Sequence, residues 1–246
     1  IGADTSGNTN HWTSTNIVAS DCAMPDSPEN NFATINVLNS PTSGSTISEA
    51  NLKATSANSS HRSVVATIAL PKSGKYYWEQ FPVGATNGSN LIGIAPTTTN
   101  FQSNLFYAST GSAGGGEGIY GSTGARYTGG VLDATWDTSG SATTFNNSDI
   151  LGIAYDADGK NVKFYKNNSL MDYNITDFND VDNDILPAFS AYGNPANAGN
   201  VVNFGQDSSF AGNKTAQGNT DANGIGDFYY APPSGFLALC TSNLPE

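Results

Sequence analysis

The apolar residues of this chain come in runs too short for helices. Val64 to Leu70, Lys75 to Val83, Leu91 to Ala95, Ile150 to Tyr155, Val162 to Tyr165, Leu186 to Tyr192, Val201 to Phe204 and Gly235 to Cys240 are rich in Val, Ile, Tyr and Phe. Gly, Asn, Asp, Ser and Pro bound them, and helical periodicity is nearly absent, which is the signature of strands separated by turns. Runs at this spacing predict an all-β fold, a two-sheet antiparallel β-sandwich. Asp156-Ala157-Asp158-Gly159 reads as a hairpin turn, and Lys166-Asn167-Asn168-Ser169 closes the next one, because these residue types supply the special backbone angles. Residues 111–118 and 194–200 read as loops rich in Gly and in Asn.

The first stretch is different. Residues 1–43 are rich in Asn, Thr and Ser, with isolated hydrophobics such as Trp12, Ile17, Val18, Phe32 and Ile35. That is too little apolar surface for a core of its own, so the expectation is an extended N-terminal arm packing on a sandwich formed by 44–246, whose last strand is 235–240. The 37 % hydrophobic content supports one such core. No run of about 18 apolar residues is present to cross a membrane. Starting at Ile1, the sequence reads as a processed product or a piece of something longer.

Charge narrows the partners. The chain carries 9 Lys+Arg against 21 Asp+Glu, a formal net charge of −12. Nine cations over this length cannot build the basic face that nucleic acid requires, and an anionic membrane surface is disfavoured for the same reason. Charged residues are only 12 % of the chain, about half the roughly 25 % usual in soluble domains. The expected surface is therefore polar but mostly neutral.

Motifs for catalysis are missing. With His11 and His61 as the two histidines, no HExxH is possible, and no Gly-x-Ser-x-Gly elbow occurs. A retaining glycosidase needs two carboxylates about 5 Å apart, yet Glu79 is the one Glu in a strong strand and no acid follows at 81 or 83. Gly116 to Gly121 matches GxGxxG formally, but no helix can follow it. Calcium is the one metal to weigh: Asp180, Asp182 and Asp184 have the spacing of a calcium loop, but Ile185 stands where the Gly belongs and Ala191 where the terminal Glu belongs. A solvated acidic loop is the plainer reading, and no other cofactor is expected. Cys22 and Cys240 are either two buried free thiols or a disulfide tying the N-terminal segment to the last strand.

Read in order, six motifs form a pattern. They are Gly74-Lys75-Tyr76-Tyr77-Trp78-Glu79; Leu91-Ile92-Gly93-Ile94-Ala95; Asp149-Ile150-Leu151-Gly152-Ile153-Ala154-Tyr155-Asp156; Lys163-Phe164-Tyr165-Lys166-Asn167-Asn168; Leu186-Pro187-Ala188-Phe189-Ser190; and Val202-Asn203-Phe204-Gly205. Together they resemble the SPRY family over roughly Gly44 to Phe210. The resemblance implies a two-sheet sandwich related in shape to the concanavalin A-like lectins, and a non-catalytic recognition module whose partner sits on loops at one edge. The flanks, Asn10 to Thr13, Asp26 to Thr34 and Asp227 to Cys240, resemble those of SPRY-containing structural proteins of bacteriophages, which implies a virion or extracellular setting.

Recognition of neutral sugars uses aromatic faces with amide and hydroxyl partners. Loops supply such types at Phe101 and Asn104, Tyr120, Arg126 and Tyr127, Trp136 and Asp137, and Asn194 and Asn197, and loops on a rigid scaffold are where binding residues concentrate. Three functions compete: a virion attachment or tail-fibre module binding a host-surface glycan or protein; a structural or decorating virion component binding other virion proteins; and, remotely, a polysaccharide-degrading enzyme. A homo-oligomer is possible, although no coiled-coil heptads enforce one.

Overall fold

The structure is a computed structural model. It describes residues 3–13, 15, 26–39, 44–57, 61–84, 90–98, 106, 115–129, 131–132, 144–176, 178, 184–193 and 198–245. Among these the regular elements are β1 (Ser45–Ser48), β2 (Lys53–Ser56), β3 (His61–Val65), β4 (Lys75–Val83), β5 (Leu91–Pro96), β6 (Glu117–Tyr120), β7 (Arg126–Thr128), β8 (Val131–Leu132), β9 (Leu151–Asp156), β10 (Asn161–Lys166), β11 (Ser169–Ile175), β12 (Ile185–Tyr192), β13 (Ala198–Asn203) and β14 (Leu237–Ala238). Two short 3₁₀ turns, Val37–Asn39 and Thr241–Asn243, accompany them, and no described residue is in an α-helix.

The two expected hairpins form where the turn residues permit. Between β10 and β11 only Asn167 and Asn168 remain, at φ 50° and 67°, the paired positive angles of a two-residue type I′ connection. The side chain of Asn167 is also used: its Oδ1 accepts the Ile150 N–H at 2.9 Å and its Nδ2 donates to Asp149 Oδ1 at 2.7 Å. At the other hairpin Asp156 Oδ1 accepts the Gly159 N–H at 2.8 Å.

Two sheets result. The first runs β1-β2-β13-β4-β9-β10-β11, with β14 added alongside β4; the second runs β3-β12-β5-β6-β7-β8. Every pairing is antiparallel except that of β14 with β4. Because strand side chains alternate, each sheet has an inner and an outer face. The inner faces meet through Trp78, Phe204, Val202, Ile153 and Phe164 on one side and Ile92, Ile94, Ile119 and Phe189 on the other, all buried.

Both outer faces are covered as well. On the first sheet Phe81, Ile150 and Val201 lie under Phe210, with Tyr229 and Tyr230 packed alongside. On the second, Val65, Leu91, Ala95, Leu186 and Ala188 lie with Phe106. Room for that ring comes from Gly118, which sits opposite Gly93 across β6 and β5. A Cβ on Gly118 would meet the Ile92 carbonyl and come within 2.9 Å of Phe106.

The final strand is shorter than 235–240 and runs parallel to its neighbour. β13 occupies β4 from Glu79 to Val83, leaving Tyr76 and Tyr77 for β14. The chain cannot extend further in either direction: Gly235 sits at φ 83°, and the Cys240 N–H turns back to the Ala238 carbonyl at 3.0 Å. β3 likewise stops at Val65. Beyond it, Ala66 and Leu70 form single bridges, to Ile35 and Ile185.

In the N-terminal region, residues 26–39 lie on the sandwich with Phe32, Ala33 and Ile35 buried. Phe32 bridges Cys240, the Ala33 N–H donates to the Leu239 carbonyl at 3.0 Å, and the Thr241 N–H donates to the Asn31 carbonyl at 2.9 Å. Residues 3–13 bond locally instead: the Asp4 N–H donates to His11 Nδ1 at 3.0 Å, and Asp4 Oδ2 accepts the Asn10 N–H at 3.0 Å. Cys240 is buried and free among the described residues, and Cys22, the other half of the possible disulfide, lies outside them.

Replacing Gly118 by Val should displace Phe106 and cost about 2 kcal/mol. The expected readout is a melting temperature lowered by roughly 4–8 °C, measured by scanning calorimetry.

Candidate functional site

Four rings gather on the outer face of the second sheet. His61 from β3, Tyr120 from β6, Tyr127 from β7 and Leu91 from β5 line an open cup of about 200 Å³, and Tyr192 from β12 packs against the imidazole. The His61 ring lies 5.9 Å from Tyr120 in an edge arrangement and 4.8 Å from Tyr192 at 44°, within the range where aromatic pairs attract. Register produces the grouping, since Leu91 pairs Tyr120 across β5 and β6 while Tyr192 pairs His61 across β12 and β3. Beneath it lies the apolar cluster of Val65, Leu91, Ala95, Phe106, Leu186 and Ala188, against which Tyr120 and Tyr127 pack.

The described residues that line the cup bring no formal charge to it. Burial pushes the His61 imidazole down to about 4, so it is neutral at physiological pH, and its Nδ1 is 3.3 Å from Ser190 Oγ. Its Nε2 and the hydroxyls of Tyr120 and Tyr192 have no hydrogen-bond partner among the described residues.

Of the residues singled out from sequence, Tyr120 and Tyr127 therefore come together. Arg126 does not join them. It points to the inner side, where Nε donates to Thr128 Oγ1 at 3.0 Å, the guanidinium approaches Glu117 at 4.0 Å, and its carbon lies 6.0 Å over the Tyr173 ring of β11. One residue of sequence separates it from Tyr127, and strand alternation puts the two on opposite faces. Phe101, Asn104, Trp136, Asp137, Asn194 and Asn197 lie outside the described residues, as do Asp180 and Asp182. Asp184 is exposed and faces Lys72 at 3.8 Å. Nothing in the sequence around His61 points to its place in the cup.

A second polar feature holds the outer face of the first sheet. Glu79 is completely buried and accepts four hydrogen bonds: from the N–H groups of Tyr229 and Tyr230 at 2.8 Å each, from Asn203 Nδ2 at 3.1 Å and from the Tyr77 hydroxyl at 3.3 Å. It sits at the end of the β13 pairing, where the C-terminal flank crosses β4. Burial raises its carboxyl to about 7, against the opposing pull of the hydrogen bonds. Of the four donors only the Tyr77 hydroxyl can reverse and accept a proton from the acid form.

Two antiparallel sheets packed through their inner faces define a β-sandwich, and the ring-lined cup lies on the outer face of its second sheet. The sequence matches the model of the SPRY domain over residues 75–207, more than half of the chain, and the protein belongs to the SPRY family. SPRY domains are typically non-catalytic modules of protein–protein interaction. No curated protein matches the sequence. Among solved structures, the SPRY domain of human HERC1 is 18 % identical with a TM-score of 0.49, covering 68 % of this chain and 94 % of its own. The PSpry domain of TRIM65 is 14 % identical with a TM-score of 0.49, covering 70 % and 89 %. Stonustoxin is 20 % identical with a TM-score of 0.47, covering 70 % of this chain and 27 % of its own.

Glu79 predicts a pH dependence. Its folded value of about 7 lies above the ordinary 4.5, so the folded chain holds that proton more tightly. The stability this group contributes is full below pH 4.5 and falls by about 3 kcal/mol as pH rises through 7. His61 acts oppositely, favouring the folded state above 6.5 and losing that contribution towards pH 4. Urea unfolding of wild type and Glu79→Gln at pH 4.5 and 7.5 separates them: the wild-type advantage over the variant should shrink by about 3 kcal/mol at the higher pH.

Proposed function

We propose that this protein is a non-catalytic recognition module that takes up a host-surface glycan or protein on the outer face of its second sheet, as an attachment or tail-fibre component of a virion. The observation that carries the reading is the cup itself: four rings and a leucine held open, uncharged, on strands rather than mobile loops. Rigid sites lose little entropy on binding. The chain's scarcity of charge, 12 % of residues, suits contact with neutral polar surfaces. The virion setting rests on the resemblance of the flanks, and with it the extracellular location.

A second reading, a structural or decorating virion component, is favoured by the edge strand β8, where Val131 and Leu132 are 65 % and 44 % exposed. Exposed edge strands are templates for pairing with another chain.

Labelled protein mixed with candidate host cells distinguishes the two. Saturable adsorption, reduced at least tenfold by Tyr120→Ala with the fold retained by circular dichroism, is the expected result. Adsorption that is absent from every susceptible host, together with incorporation into particles, would favour decoration.

A further inference from the structure

The chemistry of the cup narrows its occupant. Its volume of about 200 Å³ is below the roughly 300–1,000 Å³ of sites for drug-sized ligands and suits one ring. Leu91 gives the lining an apolar member, and the rings beside it carry polar tips: His61 Nε2 and the Tyr120 hydroxyl, with the hydroxyl of Tyr192 on the ring packed against His61. A purely hydrocarbon occupant, such as a prolyl or phenylalanyl side chain, would cover those tips without bonding them. Burying a polar group without a partner is costly, so such an occupant forfeits much of what its area contributes. A pyranose has what the cup lacks. One face of the ring is a patch of C–H groups that can lie on an aromatic plane, and its hydroxyls radiate from the edge as both donors and acceptors.

Charge argues the same way. With Arg126 and Glu117 turned to the inner face and no ionised group among the described lining residues, a uronate, sialate or phosphate would surrender its hydration there without a counter-charge.

We propose that the cup of His61, Tyr120 and Tyr127, with Tyr192 beside it, binds a single neutral hexopyranose unit, stacked on a tyrosine ring with its hydroxyls bonded to His61 Nε2 and the hydroxyls of Tyr120 and Tyr192. The inference rests on the recognition reading above and selects the glycan from its two kinds of partner.

The test is titration of the full chain with methyl α-glucopyranoside, methyl α-mannopyranoside and methyl β-galactopyranoside, followed by saturation-transfer NMR, with glucuronate as the charged probe. At least one neutral glycoside should bind saturably in the millimolar range. Tyr120→Ala should weaken it at least tenfold, and Tyr192→Phe, which removes one oxygen and keeps the ring, by about three- to tenfold at an unchanged melting temperature. Should no neutral glycoside bind while Tyr120→Ala still abolishes host-cell adsorption, the sugar assignment falls and the recognition face stands, with a protein side chain as its occupant. Should a glycoside bind with equal affinity to wild type and both variants, the sugar lies elsewhere and the assignment also falls. Glucuronate binding as tightly as the neutral glycosides would overturn the selection for neutrality.

Discussion

The carboxylate of Glu79 is the interaction on which the arrangement of the first sheet depends. It lies where β13 gives out along β4 and β14 has not yet begun, a position at which the chain must cross the outer face of the sheet without a ladder of its own. Two consecutive backbone amides of the crossing segment, those of Tyr229 and Tyr230, are answered by the one side chain. With these amides held, Tyr229 and Tyr230 pack with Phe210, which in turn stacks 5.6 Å from Phe81. Ionisation of the group is costly in such surroundings, and its removal would be costlier, because buried donors would be left without an acceptor.

Covering one face in this way leaves the other for recognition. The second sheet's outer surface is closed over Gly118 by Phe106 and stays open a strand position away, at the Leu91–Tyr120 pair. Rotameric freedom there is limited, since each ring packs on its neighbour and the strands beneath are fixed by their pairing. The cup is thus part of the sandwich rather than an accessory to it.

The sandwich was readable because local chemistry and global fold agree. β4 runs from Lys75 to Val83, the bounds of its short aromatic-rich run, and Asn167-Asn168 makes the turn its residue types favour. What escaped was whatever depends on distant partners. Glu79 attracted notice only for lacking a second acid, and nothing around it in sequence points to amides 150 residues away. His61 stands beside polar neighbours and owes its burial to Tyr120 and Tyr192. Arg126 and Tyr127 were taken together for their adjacency, and adjacency on a strand means opposite faces. The last strand was overdrawn because Gly235 and the turn at Cys240 confine pairing to Leu237 and Ala238.

The pairing of Asn31 to Ala33 with Leu239 to Thr241 also has a mechanical meaning. The two segments run antiparallel, so tension applied at Asn30 and Ser242 enters the molecule at the same end of a short ladder. Its hydrogen bonds would open one after another, at low force, before any load reached the shear-resistant strands of the two sheets. Pulling on these two segments would therefore load the clasp before the strands of the two sheets.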